Sequence, residues 1–483
     1  MSVAQRVVSA VSWSAGIKIG FQLVTWSMTL LVIRILSPDD YGLMAITQVF
    51  INAMAGFANL GLGDALVQQE KTPKPVIASV FGVIILLSAG LTVLLSLAAY
   101  PISVWYHDPR LVLLIQVASL GFLLNALMTL PRIYLTKNLL IRPMFLLELS
   151  SGLVGSVVVI ALAYAGYGVW ALMLGSLAGT VVRLIGYAVL AAEYYVWPSL
   201  NLKLVRPLWS YGAFRTLDYL AWIVFTSADT LILGSWLGPA ELGLYTVALN
   251  FAGMPLSKIA PIINSVAFPA FAMMQTRPSE ARFYALKAMR LMAFGSVPVF
   301  FGISAVAPEI VGLVFGPQWT AAEPILAVLS LAITFRAILL VIPNFLQGIG
   351  NARAGFWCTA TGALLFPPAF LIGCHWGALG VCYAWLLGYP VMFTINAVLA
   401  SRHGGLDVKA LLITPLKPMA AGIAMLVAIA AARAALPQES EIVRLGVFIP
   451  VGAATYGLVM VLAFRPLVAE IVALVPSRRP RPV

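Results

Sequence analysis

Between Ala10 and Phe464 the chain returns again and again to apolar stretches of roughly 20 residues or more, interrupted only by short polar, proline or glycine breaks. Stretches of that length are bilayer-spanning helices, because in hydrocarbon every backbone N–H and C=O must find its partner within its own segment. Composition leaves the chain no other place to fold: 61% of its 483 residues are hydrophobic and 10% charged, too little polar surface to cover a soluble globule. The breaks mark about fourteen spans, at 10–36, 42–67, 75–100, 111–130, 144–165, 168–190, 211–237, 242–270, 286–315, 322–348, 354–374, 377–400, 411–435 and 443–464. The fold class is therefore an all-α polytopic membrane protein, with no soluble domain of useful size. The first span runs full length into Arg34-Ile35-Leu36 and lacks the pattern of a cleaved signal peptide, so it is expected to be retained.

The formal net charge of +12 is dispersed over short loops and forms no stripe, which speaks against nucleic-acid binding and for topology. With a cytoplasmic N-terminus, 20 of the 29 Lys and Arg residues, Arg132 among them, fall on the cytoplasmic side, while Arg34, Arg110, Arg433 and Arg444 fall outside. That asymmetry predicts both termini in the cytoplasm and an even number of spans. The stretch after Arg465, ending in Arg478-Arg479-Pro480-Arg481, is expected to lie on anionic membrane lipids. Cys358, Cys374 and Cys382 have no metal-ligand spacing, and His107, His375 and His403 lie in separate loops, so neither a metal nor another cofactor is expected. No GxxxxGK[ST] loop is present for ATP.

An internal repeat organises the spans. Leu36-Ser37-Pro38-Asp39-Asp40-Tyr41-Gly42-Leu43 recurs 201 positions on as Leu237-Gly238-Pro239-Ala240-Glu241-Leu242-Gly243-Leu244, and Val117 through Ala126 is echoed 211 positions on by Val328 through Ala337. A repeat of six spans keeps its direction in the membrane, so two six-helix lobes in parallel relation are expected, 1–200 and 201–405, with two further spans in 406–464 and a basic tail in 465–483.

The runs Arg34-Ile35-Leu36-Ser37-Pro38-Asp39-Asp40-Tyr41-Gly42-Leu43 and Gly61-Leu62-Gly63-Asp64-Ala65-Leu66, with Ala228-Asp229-Thr230-Leu231-Ile232-Leu233-Gly234 and Phe315-Gly316-Pro317-Gln318-Trp319, resemble bacterial polysaccharide exporters. These are the Wzx-like group of the multidrug/oligosaccharidyl-lipid/polysaccharide superfamily, and the likeness spans essentially the whole chain. It implies a two-bundle transporter of the bacterial inner membrane that flips an undecaprenyl-pyrophosphate-linked glycan outward by alternating access.

Charges inside spans cost at least about 2.5 kcal/mol each and should face a cavity or a partner. Lys18, Arg183, Arg215, Lys258 and Arg336 are embedded bases, against the embedded acids Asp218 and Asp229. The excess of bases favours an anionic ligand such as a pyrophosphate. Lys18 shares a helical face with Gln22, Thr25 and Thr29, and Gln48, Asn52 and Asn59 give the second span a polar stripe. Asp229 stands at a position that resembles the family's; it and Asp218 are candidates for H+ or Na+ coupling or for structural pairing, the partner in Asp229's case being Arg215. Arg34 beside Asp39 and Asp40 reads as an interfacial ion pair, Asp64, Glu148 and Glu309 as solvated or capping residues, and Trp105, Tyr106, Trp197 and Trp319 as an interfacial belt. Cation-coupled multidrug or metabolite efflux would need the opposite cavity charge. A membrane polysaccharide polymerase would need a larger extramembrane loop, and an envelope scaffold would not need embedded bases.

Overall fold

The computed structural model describes residues 25–59, 62–63, 66, 73–138, 140–437 and 439–465, excluding the side chains of 59, 141, 206–218 and 262. Among these residues every regular element is helical. Eleven continuous segments are long and apolar enough to cross a bilayer. Two of them, Tyr219–Met273 and Ala352–Gly404, have 55 and 53 residues. At 1.5 Å per residue each would measure about 80 Å, far beyond the roughly 30 Å hydrocarbon layer, so each must turn back. The first breaks at Gly238, whose φ of 83° lies in the region glycine enters freely. The second breaks at the short turn Cys374–Trp376. Thirteen crossings result, and the shorter apolar helix Thr25–Ile35 makes the fourteenth helix.

In chain order the helices are α1 (Thr25–Ile35), α2 (Pro38–Asn59), α3 (Lys74–Trp105), α4 (Arg110–Lys137), α5 (Ile141–Tyr164), α6 (Val169–Leu190), α7 (202–237) and α8 (239–273). They continue with α9 (Pro278–Ala305), α10 (Glu323–Leu339, prolonged by Val341–Gly348), α11 (Ala352–Gly373), α12 (Gly377–Gly404), α13 (Leu416–Ala435) and α14 (Glu441–Ala463). Two expected boundaries move. The third span continues through Pro101 to Trp105, since a proline inside a membrane helix is tolerated when neighbouring groups satisfy the freed carbonyl. The ninth stops at Ala305, and the apolar run to Phe315 folds instead into the short helix Ala307–Ile310 and a π-helical turn at Val311–Phe315. Hydropathy could not separate that short helical segment from the span before it.

The helices form two compact units, Met1–Ile223 with Gly234–Gly243, and Val224–Leu233 with Leu244–Val483. In the first, α3 packs on α4, α5 on α6, and α4 on both α2 and α6, over a core that includes Leu62, Val80, Ile84 and Ala126. In the second, α9 packs against α10 and α13, α11 against α12, and α13 against α14, with Val297, Phe301, Met425, Phe448 and Tyr456 buried between them. Large apolar side chains also face outward, among them Leu97 at 72%, Leu364 at 70% and Leu387 at 69% exposure. A helical chain apolar inside and out is a multi-pass membrane protein.

The repeated motif marks its own symmetry. α2 and α8 begin at Pro38 and Pro239, and a Cβ on Gly42 would run into the Pro239 carbonyl while one on Gly243 would run into the Pro38 carbonyl. The two contacts are reciprocal within the repeated motif. All four residues belong to the first unit.

Candidate functional site

A cavity of about 620 Å³ opens within the first unit. α2 lines it with Gln48 and Asn52, α4 with Asn125, Thr129 and Arg132, α5 with Glu148, and α6 with Arg183 and Tyr187. A second cavity of about 540 Å³ adjoins it and shares Gln48, Asn125, Glu148 and Arg183. Close helix packing sets this level. A Cβ on Gly179 would come within 2.9 Å of the Ser151 carbonyl, and one on Gly155 within 3.0 Å of the Gly175 carbonyl. Lipid gives helices no hydrophobic drive to associate, so such small-residue contacts hold α5 to α6. One turn beyond them, Glu148 and Arg183 meet across the interface at 3.3 Å.

The charges gather at one end. Consecutive helices joined by short turns run antiparallel, so Arg132 near the end of α4, Glu148 near the start of α5 and Arg183 near the end of α6 share a membrane level. Two guanidiniums therefore face one carboxylate, with amides and hydroxyls from Gln48, Asn52, Asn125 and Thr129 above them. Gln48 donates to Asn52 at 2.8 Å, which preorders that amide pair. An anionic group would find cations here, and a hydroxyl-rich group would find matching donors and acceptors.

The second unit holds a different polar centre. Asp229 is fully buried and accepts from Tyr245 Oη at 2.5 Å, the Thr230 N–H at 2.6 Å, Thr230 Oγ1 at 3.2 Å and Trp385 Nε1 at 3.3 Å. Trp385 also donates to Tyr245 Oη at 2.8 Å. Every one of these partners is a neutral donor. Arg336 lies nearby, 6.0 Å from the Phe225 ring and hydrogen-bonded to Tyr389, which stacks on Trp385.

Of the embedded charges expected to act, Arg183 lines the first unit's cavity, whereas Lys258 is exposed on α8 and Asp229 and Arg336 sit in the second unit. Lys18 and the side chains of Arg215 and Asp218 fall outside the described residues, as do Gln22, Asp64 and the side chain of Asn59. Three readings need correction. Glu148 is the partner of Arg183 and no mere cap. Arg132, counted with a loop, is inside α4 and lines the cavity. Glu309 is buried, with Arg433 donating to it at 2.6 and 3.1 Å. Asp39 pairs with Arg110 at 2.6 Å, and Asp40 accepts from the Ser37 hydroxyl at 2.7 Å. The aromatic belt also divides: Trp105 and Trp197 are exposed, but Tyr106 and Trp319 are buried core residues. Sequence reading missed Arg132 because a base near a span end looks like a topology signal. Its offset from Thr129, Asn125 and Gly121 by helical steps was the available clue.

Against known proteins, this arrangement has clear relatives. The chain is 28% identical over 410 residues to the lipopolysaccharide biosynthesis protein WzxC of Escherichia coli strain K12, covering 83% of this chain and 81% of that one. It is 26% identical to the succinoglycan biosynthesis transport protein ExoT of Rhizobium meliloti strain 1021, over 79% of this chain and 77% of the relative. Among solved structures, the lipid II flippase MurJ in an inward closed conformation shares the fold with a TM-score of 0.71 at 17% identity, covering 93% of this chain and all of that one. An inward-facing multidrug MATE transporter follows at a TM-score of 0.60 and 16% identity, over 80% and 94% of the two chains. The family described as polysaccharide biosynthesis protein matches residues 31–341, nearly two thirds of the sequence, and the chain belongs to it.

Proposed function

We propose that this protein is a flippase that moves an undecaprenyl-pyrophosphate-linked oligosaccharide from the cytoplasmic to the outer leaflet of the bacterial inner membrane, by alternating access and without catalysing a reaction. The observation that carries this reading is a polar cavity set inside a lipid-facing helical unit, with Arg132 and Arg183 against Glu148 and a lining of amides and hydroxyls. A glycan needs the amides and hydroxyls, a pyrophosphate needs the guanidiniums, and a polyprenyl tail needs the lipid outside. The names of the relatives agree: ExoT is a transport protein, and Agl15 of Haloferax volcanii is a probable low-salt glycan biosynthesis flippase. Excess positive charge in the cavity runs against efflux of cationic drugs.

In this reading residues 1–200 and 201–405 are the two six-helix lobes, 406–464 add two helices, and 465–483 form a basic tail on anionic lipids. Both termini are cytoplasmic, so the end of the cavity carrying Arg132 and Arg183 faces the side on which the substrate is made. Lys18, Arg215, Lys258 and Arg336 add further positive charge along the path. Asp218 remains a candidate for H+ or Na+ coupling. Asp229 serves as a structural acid, because donors already occupy its oxygens.

The test is reconstitution into proteoliposomes with a defined polyprenyl-diphosphate oligosaccharide and a reagent that modifies only outward-facing glycan. Protein-dependent exposure, saturable and enhanced or not by an imposed H+ or Na+ gradient, is the expected result. No exposure above empty liposomes under any gradient would overturn the reading, whereas export of a cationic dye instead would favour efflux.

A further inference from the structure

Arg110, Arg183, Arg277 and Arg433 hold carboxylates, and the partly buried Arg183 does so as loosely, at 3.3 Å, as the exposed Arg277. Arg433 grips Glu309 with Nε at 3.1 Å and Nη2 at 2.6 Å, and Arg110 grips Asp108 with Nε at 3.0 Å and Nη2 at 2.6 Å. Arg183 reaches Glu148 through Nη1 alone at 3.3 Å and the Thr180 hydroxyl through Nη2 at 3.4 Å. Its Nε is buried with no hydrogen-bond partner. Charge-assisted pairs close to about 2.7–2.9 Å when geometry allows, so Glu148 leaves most of this guanidinium's capacity unused. Arg132 lines the same cavity and its side chain makes no ion pair or hydrogen bond among the described residues. Two guanidiniums and one loosely held carboxylate thus line the same cavity.

We propose that Glu148 is a placeholder in an anion site formed by Arg183 and Arg132, and that a diphosphate ester enters by displacing it. This rests on the function proposed above and specifies how its cavity is loaded. A diphosphate offers each guanidinium a pair of oxygens in the planar fork that arginine matches, including an acceptor for the orphaned Nε. One carboxylate cannot serve both. When the ligand leaves, Glu148 returns to Arg183 and keeps the empty site from standing with two uncompensated charges. Glu148 thereby sets the affinity at a level that permits release on the far side.

The test is binding to the purified full-length protein in lipid nanodiscs, with inorganic pyrophosphate, farnesyl diphosphate and farnesol as probes. Both diphosphates are expected to bind and farnesol not to. Tighter binding of farnesyl diphosphate than pyrophosphate assigns the site to a lipid-borne group, and equal binding assigns it to a diphosphate from either source. E148Q should tighten diphosphate binding roughly two- to fivefold, the weight of one half-exposed ion pair. R183Q and R132Q should each weaken it about tenfold or more. Should E148Q fail to fold, E148D decides, since it withdraws the carboxylate by one methylene and should also bind more tightly than the unsubstituted protein. Unchanged diphosphate binding in E148Q, or lowered melting in E148Q and R183Q with affinity untouched, would mean a purely structural pair and overturn the proposal. Flipping by the unsubstituted protein without tighter binding in E148Q sinks this inference alone. The full binding series without flipping sinks the function and leaves the anion site.

Discussion

Arg433 and Glu309 show how little a charge's sequence position says about its role. Glu309 follows the ninth span as Asp108 follows the third, 201 residues earlier, the same offset as the Pro38 and Pro239 motif. Both acids are buried at a helix turn and both are held by arginine, but Asp108 takes Arg110 from two residues away, while Glu309 takes Arg433 from α13. The Arg433 pair therefore ties α13 to the turn that follows α9. R433Q should cost about 3–5 kcal/mol by stranding a buried carboxylate, read as a lower melting temperature in detergent, and E309Q/R433Q together should recover much of it. At the other turn, burial would raise the Asp108 carboxyl, but the hydrogen bonds and positive charge of Arg110 outweigh that and hold it below its ordinary value. A depressed carboxylate contributes stability above its unfolded pKa, near 4, and loses it as pH falls through the lower folded value. D108N should thus flatten the acid limb of a melting-temperature profile.

At the scale of elements, the places where helices touch are fixed by what is missing from the side chain. Gly42 against Pro239 and Gly243 against Pro38 bring α2 and α8 together backbone to backbone, with no flexible group between them to yield. G42A and G243A should each cost about 1–3 kcal/mol, the usual range for overpacking a tight contact. Because the two contacts are related by the repeat, their effects should be similar in size. Unequal penalties, one near zero, would show that the symmetry of the contact is not energetic. α13 and α14 hold to α9 differently, through Phe448, Met425 and Tyr456, whose hydroxyl donates to the Phe294 carbonyl at 3.0 Å.

For the whole molecule, the charge asymmetry of the loops makes a direct statement about direction. Single cysteines at His403 and at Glu439, in a background where the three native cysteines are buried, should label from opposite sides of right-side-out vesicles. The expected outcome is Glu439 accessible from outside and His403 only after permeabilisation. The reverse pattern would turn the Arg132 and Arg183 end of the cavity away from the cytoplasm.

Apolar run length by itself determined that this chain crosses a membrane many times as helix, and nearly every crossing, because the hydrocarbon layer imposes one length and one backbone solution on each segment. It also carried the repeat, since Pro38-Gly42 and Pro239-Gly243 begin corresponding helices. Length could not tell where a span ends when an apolar helical segment follows it, as at 306–315. Nor could sequence assign partners to charges. Arg183 and Glu148 lie on different helices, and Arg433 is 124 residues from Glu309. Which acid meets which base depends on helix packing set by glycines and turns. Only the tertiary structure decided that.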